Sequence, residues 1–399
     1  MNHHVPRRSQ RGTERLDIVA VGVRHDQPHM ERAHRSKLLR GTRLGEQRFR
    51  LRDQQPPFTR DAMFDIAQLT AGTEIHHPLL VLDVVVRGGD HPRTTLVLGN
   101  RTGRIETAPF WAGRDEMIRG IEKGMIVQLV GKVTSYRESL QVETVSVRAL
   151  PKGSIPLADL VPSVGSVDKY WQYLDDTRSR MTAPRLGAVL DLFYRNDEFR
   201  VRYEQCPGSP GSGHHAALGG LLQHTAEVVS IGTAMARVAK ADTELVAAGA
   251  MLHDIGKLES YAWDTGVFDT TERGRLLGHV AIGAMMLRDA LHDADEPVCT
   301  DDEQLLLEHM ILSHHGKLEF GSPVRPLTLE AEILHYADDS SSKTASIGDA
   351  YASADLFPGA ARVSSKKVWQ LDGRWLVKLQ PDFGRPRSSG KDETADQHS

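Results

Sequence analysis

The spacing of apolar positions changes character along the chain. From residue 73 to about 148, short runs rich in β-branched residues (IHHPLLVLDVVVR, RTTLVLGN, RIETAPFW) are separated by Gly-bearing turns at GGDHP and RTG. Such runs predict strands. A short helical piece, GRDEMIRGIEKG, follows, and then two more strand-like runs, MIVQLVGKVTSY and LQVETVSVRAL. Three strands, a helix and two strands is the order of an OB-fold barrel. The Pro- and Gly-bearing stretch LPKGSIPLADLVPSVG then reads as a linker over 151–167.

Beyond it the period becomes helical. Apolar spacing and breakers predict helices over 168–181, 184–203, 219–240, 243–259, 275–292, 301–315 and 326–352. Near the end, KKVWQLDGRWLVKL sets Asp-Gly between two β-like runs, a hairpin signal. The fold expected is therefore multidomain α+β. A five-stranded OB-fold β-barrel occupies 63–150, an all-α domain 168–360, and a small C-terminal β-hairpin 361–383. No internal repeat is visible, and the polar residues 384–399 read as a disordered tail.

Composition refines this picture. A length of 399 residues allows two or three domains with real cores. The net charge of −4 hides an asymmetry: residues 1–62 carry 14 Lys/Arg against 7 Asp/Glu, leaving 35 basic and 46 acidic residues beyond them. A uniformly basic nucleic-acid coat is thereby excluded, and any nucleic-acid contact must be a local patch. The basic head lacks periodicity and reads as a disordered extension, with Met63 as the natural start; a nucleic-acid-binding arm is the competing reading. Two cysteines, Cys206 and Cys299, are too few for a disulfide framework and fit a reducing cytoplasm. No apolar run approaches the roughly 18 residues of a membrane span, so no membrane partner is expected.

OB barrels bind single strands by stacking bases on aromatic residues and tracking phosphates with basic ones. Phe110, Trp111, Tyr136, Arg104, Lys132 and Arg137 are candidates for that work. The plainer alternative is that the aromatics only fill a small barrel.

The helical region carries histidines and aspartates in a telling order. GGLLQHTAEVV holds His224, LVAAGAMLHDIGKLES holds His253, Asp254 and Lys257, and RGRLLGHVAIGAMML holds His279. ILSHHGK adds His314 and His315, and EAEILHYADDS adds Asp338. Imidazoles and carboxylates suit Mn, Fe, Zn, Co or Mg. On a helix, neighbouring residues point about 100° apart, so His253 can face one ion while Asp254 turns to a second. A carboxylate has two oxygens and can bridge two cations, which makes Asp254 the natural bridge in a phosphoester-cleaving pair. Each histidine alone is an ordinary hydrogen-bonded core residue. Asp254 is not, because an unpaired carboxylate beside AGAMLH would be costly to bury.

The order H…HD…H…H(H)…D resembles the metal-binding signature of the HD-domain phosphohydrolases, an all-helical fold. The fuller motifs HHAALGGLLQHT, GAMLHDIGKLESY, LLGHV and LSHHGKLEFGSPVRPLTLEAEILHYADD resemble those of the YhaM-type 3′-5′ exoribonucleases, which join an OB-fold to an HD domain. The resemblance covers about residues 63–380. It implies one metal on His224, His253, Asp254 and Asp338, and a second on Asp254, His279, His314 and His315. It gives Lys257 the neutralisation of phosphate charge in the transition state, against a solvated helix-end lysine as the alternative. His214 and His215 would touch substrate phosphate, and Lys317, Glu319 and the loop to Pro326 would line the mouth. Mn²⁺ and release of nucleoside 5′-monophosphates are likewise implied. The chain departs from the family pattern after HYADD, where SSSKTASI replaces an apolar residue and Asp-Ala-Lys; this questions the continuity of that helix and any homo-oligomer contact it makes. The loop CPGSPGSG is also richer in glycine than the family pattern.

The function expected is metal-dependent 3′-5′ exonucleolytic hydrolysis of single-stranded RNA, with DNA as a further substrate. The competing readings are an HD phosphohydrolase of small nucleotides (a dNTP, a cyclic dinucleotide or an alarmone) and a non-catalytic RNA-binding protein.

Overall fold

The computed structural model describes residues 64–383 except positions 90, 112, 114, 138, 212, 380 and 382. The expectations for residues 1–62 and 384–399 lie outside the described residues. Six strands, β1 (Glu74–Arg87), β2 (Arg93–Asn100), β3 (Gly103–Thr107), β4 (Phe110–Trp111), β5 (Ile126–Tyr136) and β6 (Ser139–Ala149), form the first part. β1 is long enough to serve two neighbours. Its first half pairs with β5 and its second half, beyond Leu80, with β2. Antiparallel β2–β3 and β5–β6 pairs and a parallel β3–β6 contact complete the circuit, so five strands close on themselves and two-residue β4 adds to β2. Closure removes the unpaired edges that an open sheet would expose. Ile75, Leu79, Leu96, Leu98, Leu129, Val133 and Val142 fill the interior. The helical piece expected between β4 and β5 is a single 3-10 turn, Asp115–Ile118.

The second part is helical: α1 (Leu157–Leu160), α2 (Asp168–Ser179), α3 (Pro184–Tyr194), α4 (Asp197–Tyr203), α5 (Gly220–Ala239), α6 (Thr243–Leu252), α7 (Lys257–Ser260), α8 (Glu272–His292), α9 (Asp301–Ser313) and α10 (Leu329–Ala352). Two of the expected helices divide into separate helices, and a third, 275–292, kinks at Gly278. The run 184–203 breaks at Arg195–Asn196, where the Asn196 side chain accepts from the Phe199 N–H and caps α4. The run 243–259 breaks over residues 253–256, so the His253-Asp254 pair lies in a turn between α6 and α7 and not on a continuous helix. Sequence periodicity continued through both breaks because the flanking apolar residues stay in phase with one core.

Leu221, Leu222, Val228 and Val229 of α5 and Ala247, Ala248 and Met251 of α6 sit in that core, against Leu190, Tyr194, Met310 and Leu334. The barrel joins the helices through a smaller apolar cluster in which Leu80 and Ile126 meet Leu160 and Val161. A 3.0 Å ion pair between Lys123 and Asp269 flanks it. At the C-terminal end, bridges Val363–Val377 and Val368–Arg374 make a strand pair. Five residues close the Val368–Arg374 bridge, a 3-10 turn at Trp369–Leu371 followed by Asp372-Gly373 at φ of 56° and 65°, so the connection is longer than a two-residue Asp-Gly turn. Among the described residues no helix is long and apolar enough to cross a membrane.

Candidate metal centre

α6 presents Val246–Leu252 as an unbroken buried apolar run, so it packs deep and delivers the residue that caps its C-terminus, His253, to a fully buried position. There the His253 Nδ1 lies 2.7 Å from the Ala250 carbonyl. His314, at the end of α9, repeats the arrangement with the Ile311 carbonyl at 2.7 Å, and His315 does so with the Phe320 carbonyl at 2.6 Å. A carbonyl only accepts. Each Nδ1 therefore carries the proton, and each Nε2 presents a lone pair to the interior. His224 on α5 reaches the same state by a relay. Its Nδ1 is 3.0 Å from the Ser341 hydroxyl, which donates its one hydrogen to Glu227 at 2.8 Å and so must accept from His224.

These lone pairs converge on Asp254. Oδ2 of its carboxylate is 2.6 Å from Lys257 Nζ, 3.1 Å from His253 Nε2 and 3.4 Å from His224 Nε2. Oδ1 faces the other way, 3.4 Å from His279 Nε2 and 3.7 Å from His314 Nε2. Asp338 adds a carboxylate oxygen 3.0 Å from His224 Nε2. Nε2 atoms also face each other at 3.3 Å, His224 with His253 and His279 with His315.

In the His224–His253 pair, where both Nδ1 protons are fixed, two facing lone pairs with no hydrogen between them repel, and a cation between them removes that cost. Asp254 Oδ1 and His314 Nε2 are buried with no hydrogen-bond partner, although buried polar atoms are almost always satisfied. His224, His253 and Asp338 form one group with ligand atoms within 4.8 Å of one another, and His279, His314 and His315 form another. An all-imidazole and carboxylate donor set of this kind fits divalent first-row cations.

The HD domain family matches residues 221–342, which span the whole cluster except His214 and His215. The chain is 31% identical over 307 residues to the 3′-5′ exoribonuclease YhaM of Shouchella clausii (strain KSM-K16), covering 75% of this chain and 90% of that protein. It is 30% identical over 259 residues to the 3′-5′ exoribonuclease YhaM of Bacillus subtilis (strain 168), covering 63% of this chain and 79% of the relative. The chain belongs to the YhaM family. It is an HD-domain hydrolase with the barrel-plus-helical architecture that the motifs implied.

Electrostatics in this YhaM-family centre follow from burial. Burial pushes the His279 imidazole down to about 3 and holds His314 well below its ordinary value, so both are neutral near pH 7. Burial also pulls His253 down, but Asp254 outweighs it and the net shift is upward. Burial works against charge on Asp254 as well. His253 and Lys257 overcome it and hold the carboxyl well below the usual range. The pocket is thus built around fixed negative charge that calls for positive charge beside it.

Lys257 is buried, not a solvated helix end. Its ammonium donates to Asp254 and, at 2.7 Å, to the Gly208 carbonyl. That carbonyl comes from the glycine-rich loop, which is pinned by Gly208 N–H donating to the His215 carbonyl at 2.9 Å and Ser209 Oγ donating to the His214 carbonyl at 2.7 Å. The rings of His214 and His215 meet at Nδ1–Nδ1 3.2 Å, with His214 centred 5.3 Å from His224. Burial pushes the His214 imidazole down to about 2.

Lys317 is exposed, with Nζ 5.2 Å over the Phe320 ring. On the barrel, Trp111 and Tyr136 are exposed, as are Arg104 and Lys132. Trp111 stacks under Arg93 at 5.4 Å and Tyr136 under Arg137 at 5.3 Å. Phe110 differs from expectation. It faces the barrel core at 3% exposure and is not presented for stacking, because neighbouring residues of a strand point to opposite faces. Sequence reading passed over Glu227 and Ser341. Each lies three residues beyond a singled-out residue, His224 and Asp338, and so on the same helix face.

Proposed function

We propose that the chain hydrolyses single-stranded RNA from the 3′ end by a two-cation mechanism, releasing nucleoside 5′-monophosphates, with DNA cleaved by the same chemistry. One cation would be held by His224, His253, Asp254 and Asp338, and the second by Asp254, His279, His314 and His315. The observation that carries this reading is the division of Asp254, one oxygen toward each histidine group. Both relatives named above carry the name 3′-5′ exoribonuclease. Bound divalent ions, Mn²⁺ by the family resemblance, supply Lewis acidity to a phosphoryl group and acidify water.

The chain's own residues do the positioning. Carbonyls of Ala250, Ile311 and Phe320 fix three imidazole tautomers, and Ser341 with Glu227 fixes a fourth, so no reorganisation is needed on binding. Lys257 has three N–H donors and spends two on Asp254 and Gly208; the third is free for a phosphoryl oxygen whose charge grows in the transition state. His214 and His215 flank that approach, their Nδ1 atoms 3.2 Å apart and His215 Nε2 3.1 Å from a Glu227 carboxylate oxygen. The barrel's Trp111 and Tyr136, each backed by an arginine, with Arg104 and Lys132, would hold the strand.

The test is incubation of the purified chain with Mn²⁺ and a 5′-labelled single-stranded RNA. A ladder shortening from the 3′ end, stopped by a chelator, is expected. A full-length strand beside hydrolysed dNTPs would replace the strand reading with the small-nucleotide one.

A further inference from the structure

The loop after the adjacent histidines is tied to them directly. His315 donates to the Phe320 carbonyl, and His335 of α10 lies with Nδ1 2.9 Å from the His314 carbonyl. Gly316 sits at φ 72°, where a Cβ would meet the His335 ring at 2.3 Å, so loop and helix close against each other. Between them runs a groove of about 720 Å³, lined by Lys317, Phe320, Arg325, His335 and Tyr336 among others. That volume is within the range of about 300–1,000 Å³ that holds a nucleotide-sized ligand.

Its chemistry is specific. Phe320 and Tyr336 are 50% and 53% exposed; Lys317 Nζ lies 5.2 Å over one ring and the His335 ring is centred 5.1 Å from the other, and the rest of this large aromatic surface is open to a partner. Neither Lys317 nor Arg325 pairs with a carboxylate among the described residues. Glu319 and Glu332 line the same groove and are acceptors suited to ribose hydroxyls or base amino groups. Exposed π-faces beside unpaired cations are the parts from which sequence-tolerant single-strand sites are made, since every base has a π-face and every nucleotide a phosphate.

We propose that this groove is a strand-binding subsite on the helical part of the molecule, distinct from the barrel. Phe320 and Tyr336 stack bases of single-stranded RNA, and Lys317 and Arg325 hold its phosphates, so that the strand is guided to the centre that His314 and His315 adjoin. The proposal rests on the exonuclease reading above.

The experiment measures binding of a 5′-fluorescein ten-nucleotide RNA to the full chain by anisotropy in EDTA, where no turnover occurs. The pair Phe320→Ala with Tyr336→Ala is expected to bind about tenfold more weakly or worse. The pair Lys317→Ala with Arg325→Ala should weaken binding and lower the log–log salt slope by about 1.4. Tyr336→Phe keeps the ring and should keep the affinity. Trp369→Ala removes an aromatic that is 75% exposed elsewhere and serves as the control. As a placement readout, 5-iodouridine RNA should photo-cross-link within 316–336. Wild-type-like affinity in both pairs, with no cross-link there, overturns the proposal. So does a change of oligomeric state in the aromatic pair with RNA affinity intact, which would make the patch an interface between copies. Failure of the exonuclease reading is seen separately, as wild-type protein that turns over mononucleotides and leaves strands whole.

Discussion

Asp254 shows what a single side chain decides. Among the described residues it alone offers one oxygen to each half of the histidine cluster, and its neighbour His253 is locked by a carbonyl one turn back. Asp254→Asn replaces one oxygen with an N–H pair, which cannot serve a second cation. RNA turnover should fall at least ~1000-fold, with metal content by elemental analysis falling in parallel. The same change strips buried Lys257 of its counter-charge, at a cost of about 3–5 kcal/mol. Adding Lys257→Met to Asp254→Asn should therefore recover much of the lost melting temperature without recovering activity.

Glu227 gives a pH signature. Burial opposes its charge, but hydrogen bonds from His215, Gln223 and Ser341 bring its pKa from 4.5 down to about 2. A folded pKa below the unfolded one contributes stability that is present above about pH 4.5 and is lost as pH falls toward 2. Glu227→Gln should flatten that acid limb in melting temperature against pH; an unchanged limb would show that other groups carry it.

At the scale of elements, the breaks matter more than the helices. α6 ends at Leu252 and α7 begins at Lys257, and the turn between them holds the His-Asp pair where a straight helix would have carried them past the centre. Gly256 makes that turn fit. A Cβ there would lie 2.1 Å from the His279 carbonyl and 2.4 Å from the Gly283 nitrogen, both backbone atoms of α8. Gly256→Ala should cost about 1–3 kcal/mol in urea unfolding and weaken metal binding by displacing His279. α8 itself breaks at Gly278, φ 74°, just before His279.

α10 follows the helical expectation for 326–352 and is continuous through the stretch that departs from the family pattern. The SSSKTASI stretch does not interrupt it, and the helix runs from Leu329 to Ala352. Ser342, Thr344 and Ser346 bond back to the carbonyls of Asp338, Ser340 and Ser342 at 3.0, 2.7 and 2.9 Å, while Ser341 turns inward to His224. Hydroxyls that can compete with a helix instead follow it when the opposite face is packed.

At the scale of the whole molecule, a barrel is packed against a helical centre. The Leu80, Ile126, Leu160 and Val161 cluster makes that joint apolar. If the barrel holds the strand, the double variant Trp111→Ala with Tyr136→Ala should raise KM for a long RNA about tenfold and change kcat less than twofold. An unchanged KM would confine strand binding to the helical part.

Much of this was legible in the chain. Alternation of apolar residues, Gly-bearing turns and the strand–strand–strand–helix–strand–strand order sufficed for the barrel. Helical periodicity sufficed for most helices, and residue type with motif resemblance singled out His224, His253, Asp254, His279, His314, His315 and Asp338, which the fold gathers in one cluster. These depend on local periodicity and residue type, which a sequence carries directly. What only the tertiary structure decided was direction and partnership: Phe110 inward while Trp111 faces out, Lys257 buried on Asp254, and Glu227 joined to His224 through a serine 114 positions away. Such contacts arise where separate elements meet, and their geometry is fixed by close packing of the core rather than by neighbours in the chain.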